Sequence, residues 1–566
     1  MQVLKYRFQR WRWYRILHLV YSEWRARYRG LPAWKAIFAD ELPRWQSQIP
    51  FSKSSDRRIL IASGTGGHLP SLTMEGLFGV ALTQRNASVD FLLCDGVLPA
   101  CMMCEINWYG DVEAFTRTGP RDRCGQCHSP AAHMLDDAGM NHLRLSEQVS
   151  EQERNHSKHF AATLTRDRII GFSLDGVPIG EHALAGALRF YARGKLDDGE
   201  PATSVLRRYF ESALLTFYAT RNLLGNGKYR VVVLNHGIYV PQGVVAETAR
   251  SMGVRVVTWH PAYRRQCFIF SHDETYHHSL MKEPPSEWEN MNWGIEQKQQ
   301  IEAYLKSRWE GKGDWIRFHR SPQYSTEAIE QETGVDFSKP AIGLLTNVVW
   351  DAQLHYPANA FRNMVDWLNK TIGYFAHRPD IQLLIRVHPA EITGTLPSRQ
   401  PAIDEIHKAF PVLPSNVFVI PPDSRLSTYV AMSKCNAALI YGTKMGVELS
   451  ATGLPVIVAG EAWVRGKGIT MDASCEEDYF QLLDALPLSK GLDDATRERA
   501  LKYAYHFFFR RMIPLNCVRE RPGWPPFRIS INDPADLQPG RDLGLDIICQ
   551  GILEGTSFVF PSEMTR

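Results

Sequence analysis

Long apolar runs are missing from this sequence: none approaches the ~20 residues that a bilayer-spanning helix needs. Arginines interrupt every apolar stretch near the start, so no secretory signal peptide is expected there. A cytoplasmic protein is expected, at most peripheral on the inner face of the plasma membrane. An excess of one charge is also lacking, with 64 Lys and Arg against 61 Asp and Glu for a formal net charge of +3. No nucleic-acid partner is expected. Internal repeats and long low-complexity tracts are absent as well.

What is present is a globular composition, 44% hydrophobic and 22% charged. A chain of 566 residues is too long for one ordinary core, so two α/β domains with extensions are expected. Aromatic residues make up 11% and include 15 Trp, an enrichment that ordinary packing accounts for as well as carbohydrate binding does. Charge is concentrated in residues 1–50, a basic aromatic arm. Lys5, Arg7, Arg10, Arg12, Arg15, Arg25, Arg27, Arg29 and Lys35 face a single acid, Glu23, and are interleaved with Trp11, Trp13, Tyr14, Leu17 and Trp24. This pattern, over residues 1–36, fits either a helix lying on an anionic membrane surface or a basic helix packed on its own domain.

After a polar linker at 51–56, the apolar run Ile59–Ala62 stops at Ser63-Gly64-Thr65-Gly66-Gly67-His68, and helical spacing resumes through Met74, Leu77 and Val80. Strand, glycine loop and helix in this order open a parallel sheet. Further strands are expected at 89–93, 229–234 and 255–258. A second series at 342–346, 382–387, 417–420, 437–440 and 455–458 alternates with helices at 359–371, 402–409 and 445–452. The break around 300–338 implies two doubly wound domains facing a cleft: an N-terminal domain at 56–320, a C-terminal domain at 335–500 and a helical extension at 501–566.

Cys101-x2-Cys104 and Cys124-x2-Cys127, separated by nineteen residues, have the spacing of a four-thiolate zinc ribbon, with Cys94 and His128 nearby as reserves. Four thiolates close the coordination sphere. The expected cofactor is therefore a structural Zn2+ stapling an insertion at 94–133, not a catalytic metal.

In the glycine loop, backbone amides at a helix start favour a phosphate or a sugar. His68 there is either a base for an acceptor hydroxyl or a helix cap. Asp95, at the end of the second strand, is a rival base or a structural residue. His236 and His260 end two further strands and are candidates to line the same pocket. The His-rich stretch 271–278 lacks ligand spacing and reads as a polar loop.

In the second series, Arg386-Val387-His388-Pro389 ends a strand; alternation puts Arg386 and His388 on one side, where a departing nucleotide phosphate needs charge and a proton. Tyr441-Gly442-Thr443-Lys444-Met445-Gly446-Val447-Glu448 follows the strand at 437–440. Its small residues and amides suit an anion, Thr443 and Lys444 are phosphate contacts, and Glu448 is a partner for a ribose or donor hydroxyl pair. Lys467, in Arg465-Gly466-Lys467-Gly468, is placed to close over the donor. No Asp-x-Asp motif ends a strand, so no obligatory divalent cation is expected for donor binding.

The glycine loop resembles the GTGGH loop of the transferase that makes lipid II, over about ten residues. Residues 330–515 resemble the bacterial capsule polysaccharide biosynthesis family, which includes Kdo transferases. The matching residues are His388-Pro389, Thr443-x-x-Gly446-x-Glu448 with Gly453-Leu454-Pro455-Val456-Ile457, and Tyr503-Ala504-Tyr505-His506-Phe507-Phe508-Phe509-Arg510. The resemblance implies a GT-B fold and a glycosyltransferase using a nucleotide sugar and a saccharide or lipid-linked acceptor, with His388 and Glu448 on the donor side. The Cys insertion and the basic arm depart from that pattern. A related RxHP motif occurs in teichoic-acid transferases, so transfer of a polyol phosphate from a CDP-activated donor is the alternative chemistry. A membrane-associated assembly scaffold is the non-catalytic alternative.

Overall fold

The structure, a computed structural model, describes residues 30–53, 56–109, 111–316, 322–352 and 358–564, with five isolated positions between 17 and 25. The chain forms two compact units. The first holds the residues through Phe190, Leu196–Tyr276 and Ile513–Phe560; the second holds Tyr191–Lys195, His277–Met512 and the last residues from Pro561. The division thus falls at Tyr276/His277, ahead of the 300–338 break. Most of the segment beyond 512 returns to the first unit instead of extending the second.

In the first unit, apolar runs form β1 (Arg58–Gly64), β2 (Ser88–Leu93), β4 (Val231–Asn235), β5 (Arg255–Pro261) and β6 (Cys267–His272), and the more polar, part-exposed β3 (Asn141–Arg144) lies beside β2 at the sheet edge. Strands β1 to β5 are parallel in the order 3-2-1-4-5. Strand β6 joins β5 antiparallel, and Ile513–Pro514 adds a seventh strand beside β6. Helix α1 (Leu69–Thr83) follows the glycine loop with Pro70 in its first turn, where the missing N–H costs nothing. It is predominantly apolar and buried from Pro70 to Thr83, with Glu75 the one ionisable side chain it buries.

The second unit holds a six-stranded, all-parallel sheet: β7 (Ala341–Leu345), β8 (Gln382–Arg386), β9 (Val417–Ile420), β10 (Ala437–Ile440), β11 (Val456–Val458) and β12 (Met471–Asp472). From β9 the order is 3-2-1-4-5-6 when counted within the unit, so the winding reverses between β7 and β10. Buried throughout, β7, β8, β10 and β11 read as continuous hydrophobic runs, which is why they were legible, whereas the two-residue β12, half-buried at the sheet edge, was not expected.

The insertion at 94–133 is not a zinc ribbon. It contains no strand among its described residues. Its second CxxC lies within helix α2 (Arg121–Asp137), which places Cys124 and Cys127 on helical turns and not on a knuckle. Part of the N-terminal arm is core: Trp34, Phe38 and Trp45 stack in series, and Trp45 Nε1 donates to Ala138 O at 2.8 Å. Most of residues 1–29 lie outside the described residues, though Leu17, Val20, Tyr21 and Trp24 are exposed. Among the described residues no helix is long and apolar enough to cross a membrane.

Helix α2 lies directly against the glycine loop. A Cβ on Gly66 would meet Cys127 O at 2.4 Å and Ala131 Cβ at 2.6 Å, and one on Gly67 would meet Cys127 Sγ at 3.1 Å. Close packing of a helix, more than approach of a ligand, requires glycine at 66. Gly66→Ala is expected to cost about 1–3 kcal/mol of stability. In urea denaturation the midpoint should fall with an unchanged slope; an unchanged midpoint would contradict the packing.

Candidate functional site

In open parallel sheets ligands bind outside the carboxyl ends of the strands, where the winding reverses. In the second unit that point is the β7/β10 crevice. Asn347 follows β7, His388 follows the neighbouring β8, and Gly442-Thr443-Lys444 follows β10. The Asn347 side chain reaches Gly442: a Cβ added there would lie 3.4 Å from its Nδ2. Its Oδ1 is buried without a hydrogen-bond partner among the described residues. Such an orphan costs about 1–3 kcal/mol, which a ligand donor would recover.

The His388 N–H donates to Thr346 Oγ1 at 3.0 Å, and its Nδ1 accepts from the Ala390 N–H at 3.0 Å. Burial, followed by the nearby charges of Lys444 and Arg386, lowers its pKa to about 4. The ring is therefore neutral near pH 7, and with Nδ1 accepting, its proton sits on Nε2. His388 is equipped to donate a hydrogen bond, not to deliver a proton.

Lys444 Nζ lies 2.8 Å from Glu448 Oε1. Glu448 is wholly buried, and both of its oxygens are engaged. Arg308 binds it bidentately, Nε to Oε2 at 3.0 Å and Nη2 to Oε1 at 2.9 Å, and Tyr429 Oη donates to Oε2 at 2.7 Å. Arg308 also pairs with Asp314. Burial pushes the Glu448 carboxyl up, but Arg308 and Lys444 outweigh it and hold the pKa down at about 2. In this structure Glu448 therefore anchors Lys444 and has no oxygen left for a ribose.

Three other donor-side residues also turn out to be structural. Arg386 donates to Thr428 Oγ1 at 3.2 Å, to Ser424 O at 3.3 Å and to Pro421 O, so its guanidinium ties down the loop after β9. A Cβ on Gly446 would meet Ile440 Cδ1 at 2.5 Å, making this glycine a packing contact between helix and strand. Lys467 is 1% exposed and spends its ammonium on Met281 O, at 3.0 Å, and on Glu283 O. Burial lowers its pKa to about 8. Thr443 is buried, and its Oγ1 accepts from the Met445 N–H at 3.4 Å.

The first unit repeats the arrangement at β1/β4. His68 follows β1, His236 follows β4 and His260 lies at the end of β5. His236 and His260 are 5.2 Å apart between ring centroids. Tyr239 stacks on His236, Tyr276 stacks on His260, and the Arg189 guanidinium lies over Tyr239. His236 is held at φ +67°, a strained conformation of the kind that collects at binding sites.

His68 Nδ1 lies 2.6 Å from Ser71 Oγ. Burial, followed by Arg189 and His260, lowers its pKa to about 3, so it is neutral near pH 7. It occupies the N-cap position of α1 without a side-chain cap bond. His260 Nδ1 donates to Pro261 O at 2.8 Å. Asp95 is structural: its oxygens accept from the Ser146 N–H at 3.2 Å and from Ser146 Oγ at 2.5 Å.

The glycine-loop amides are not all open to a ligand, because the Gly67 N–H donates to Cys127 Sγ at 2.8 Å. Cys94, Cys101, Cys104, Cys124 and Cys127 gather beside this loop; burial, and then the neighbouring thiols, push Cys124 and Cys127 up, whereas the interaction with Cys101 brings Cys104 down. Among the described residues, however, no group of three or more His, Cys, Asp or Glu is arranged to hold a metal ion.

Sequence reasoning missed Asn347, Arg308, Asp314, Tyr429, Arg189 and Glu75. Glu75 lies on α1 under the first-unit site. Its Oε1 accepts from Trp259 Nε1 at 3.1 Å and from Ser63 Oγ, and Ser63 Oγ accepts from the Asn235 N–H at 2.8 Å. This chain of bonds ties α1, β1, β4 and β5 together at the winding reversal.

No family model matches the chain, and no curated protein matches it. Solved structures give loose likenesses. Thermosulfurimonas dismutans KpsC, a beta Kdo 2,4 transferase, aligns at TM-score 0.33 and 14% identity, over 49% of this chain and 80% of that one. UDP-GlcNAc 2-epimerase from Neisseria meningitidis aligns at TM-score 0.24 and 12% identity, over 79% and 95%. The spinosyn rhamnosyltransferase SpnG aligns at TM-score 0.24 and 10% identity, over the same shares. At such scores these likenesses carry no argument.

Burial raises the Glu75 pKa to about 8, against the opposing hydrogen bonds from Ser63 and Trp259. The folded state therefore keeps a proton that the unfolded state releases above its ordinary carboxyl pKa. The resulting stability is complete below that value and is lost as pH rises toward 8, at no more than about 1.4 kcal/mol per pH unit. Glu75→Gln should flatten the fall in urea midpoint between about pH 5 and pH 8. An unchanged profile would mean that Glu75 ionises normally.

Proposed function

We propose that the protein is a glycosyltransferase of the GT-B type. It moves a sugar from a nucleotide-activated donor, held by the second unit, to a saccharide or lipid-linked acceptor held by the first. The observation that carries this reading is the β7/β10 crevice, where the Lys444 ammonium, the neutral His388 ring and the unsatisfied Asn347 Oδ1 meet. Preoriented charge and N–H donors aimed at a departing phosphate stabilise the transition state most effectively where water is excluded. Lys444 supplies the charge and His388 Nε2–H the hydrogen bond. Asn347 Oδ1 accepts from a hydroxyl or N–H of the donor.

On the acceptor side, a hydroxyl must lose its proton as it attacks the anomeric carbon. His260 and His68 are the bases this reading assigns, beside Tyr239 and Tyr276, which stack on His236 and His260. The capsule-type motifs 388–389, 443–448 and 453–457 support a role in bacterial surface polysaccharide synthesis.

The test is nucleotide release from a panel of CMP-, UDP- and GDP-linked sugars, with phosphorus followed into the product. One nucleotide class should be released without phosphorus transfer. Lys444→Ala should lower kcat by about 10²–10³-fold, as loss of a leaving-group contact does. Phosphorus in the product would establish polyol-phosphate transfer instead. Full activity in Lys444→Ala would remove the site from the chemistry.

A further inference from the structure

The basic aromatic arm plays no part in the transfer chemistry, and the fold treats two stretches of it differently. Trp34, Phe38 and Trp45 are buried, and a Cβ on Gly76 of α1 would lie 3.3 Å from Trp34 Nε1, so this stretch is packed on the first unit. Leu17, Val20, Tyr21 and Trp24 are instead each more than half exposed. Apolar side chains exposed singly are ordinary, but four within eight residues form a patch that a water-facing surface does not need.

Positions 17, 20, 21, 24 and 25 are helical, and spacings of three and four put the four apolar residues on one stripe. At 3.6 residues per turn they fall within an arc of about 100°, with exposed Arg25 at its edge. The Tyr21 and Trp24 rings stack with centroids 6.0 Å apart, which makes that part of the stripe continuous. Charge gathers on the same segment. Residues 1–36 hold nine Lys and Arg against one acid, a net charge of +8, so the rest of the chain together carries −5. A lipid surface complements both features at once: acyl chains take the apolar stripe, the headgroup boundary takes Tyr and Trp rings, and anionic headgroups meet the cations. A nucleic acid or an acidic protein surface would meet the charge and leave the stripe in water.

We propose that this segment docks the first unit on an anionic lipid surface, with Leu17, Val20, Tyr21 and Trp24 entering the headgroup boundary and Arg25 among the cations beside them. The two contributions add, because binding grows with the apolar area buried and with attraction to anionic headgroups. Trp34 packs against α1, whose N-cap is His68, so the docked segment is tied to the element that opens the first-unit site. This inference does not depend on the transferase reading, because it is read by binding to vesicles and not by activity.

The experiment sediments the full-length chain with vesicles of phosphatidylcholine alone and with vesicles that are about one-third phosphatidylglycerol, at about 0.1 M and 0.5 M NaCl. Partitioning onto the anionic vesicles at the lower salt should exceed that onto phosphatidylcholine by about tenfold or more, and should fall by a similar factor at the higher salt. The double variant Val20→Ser with Trp24→Ser keeps every cation and the buried 34–45 stretch. It should partition about tenfold less, with an unchanged urea midpoint. The wild-type lipid and salt comparison decides the matter if that variant does not fold. Equal binding to the two vesicle types, or to neither, overturns the proposal. So does a double variant that binds as tightly as wild type, which would leave charge alone at work as for a nucleic acid or an acidic protein. A stripe covered by a second copy of the chain, seen as a dimer that the double variant dissolves and that ignores vesicles, overturns it equally.

Discussion

Lys444 can meet an anion only because a carboxylate fixes it from behind. Glu448 sits at 0% exposure, where an unpaired charge would be prohibitive, and it survives there because Arg308 grips both oxygens while Tyr429 and Lys444 fill the remaining directions. Removing one partner from such a buried pair typically costs about 3–5 kcal/mol. The ammonium is thereby held at the carboxyl end of β10, across β7 from His388. The crevice inherits its position from sheet topology and its charge from this cluster.

The two units solve the same problem with different chemistry underneath. Beneath the second-unit site lies a set of paired charges. Beneath the first-unit site lies Glu75, whose raised pKa keeps it protonated near neutral pH, hydrogen-bonded to Ser63 and Trp259. Both sites present histidines that burial keeps neutral, His388 in one and His68 in the other. Neutral imidazoles act as oriented donors or acceptors, so the tautomer set by a second hydrogen bond decides which role each takes.

How much was legible in the sequence follows from the range of the interactions. Buried parallel strands announce themselves as apolar runs, and the residues just after them were readable as site candidates because strand ends line the crevice. His388, Gly442 and Lys444 came from that rule. Glu448 was misread because its partner Arg308 lies 140 residues away and leaves no local trace. Arg386 was expected beside His388 by alternation, yet its long side chain reaches the backbone beyond β9. The two CxxC pairs have ribbon spacing, but one of them is helical. Asn347 was invisible because an asparagine after a strand is ordinary until its oxygen is seen to lack a partner.

The central claim is that the His388–Lys444 crevice receives a nucleotide phosphate. The most direct measurement follows the ring resonance of His388, identified by loss in His388→Gln, in histidine-labelled protein as nucleotide is titrated and pH is varied. A bound phosphate favours the charged imidazole, so the resonance should shift in proportion to nucleotide bound, and its pKa should rise from about 4. Nucleotide binding that leaves this resonance and its titration unmoved would place the phosphate elsewhere and contradict the account.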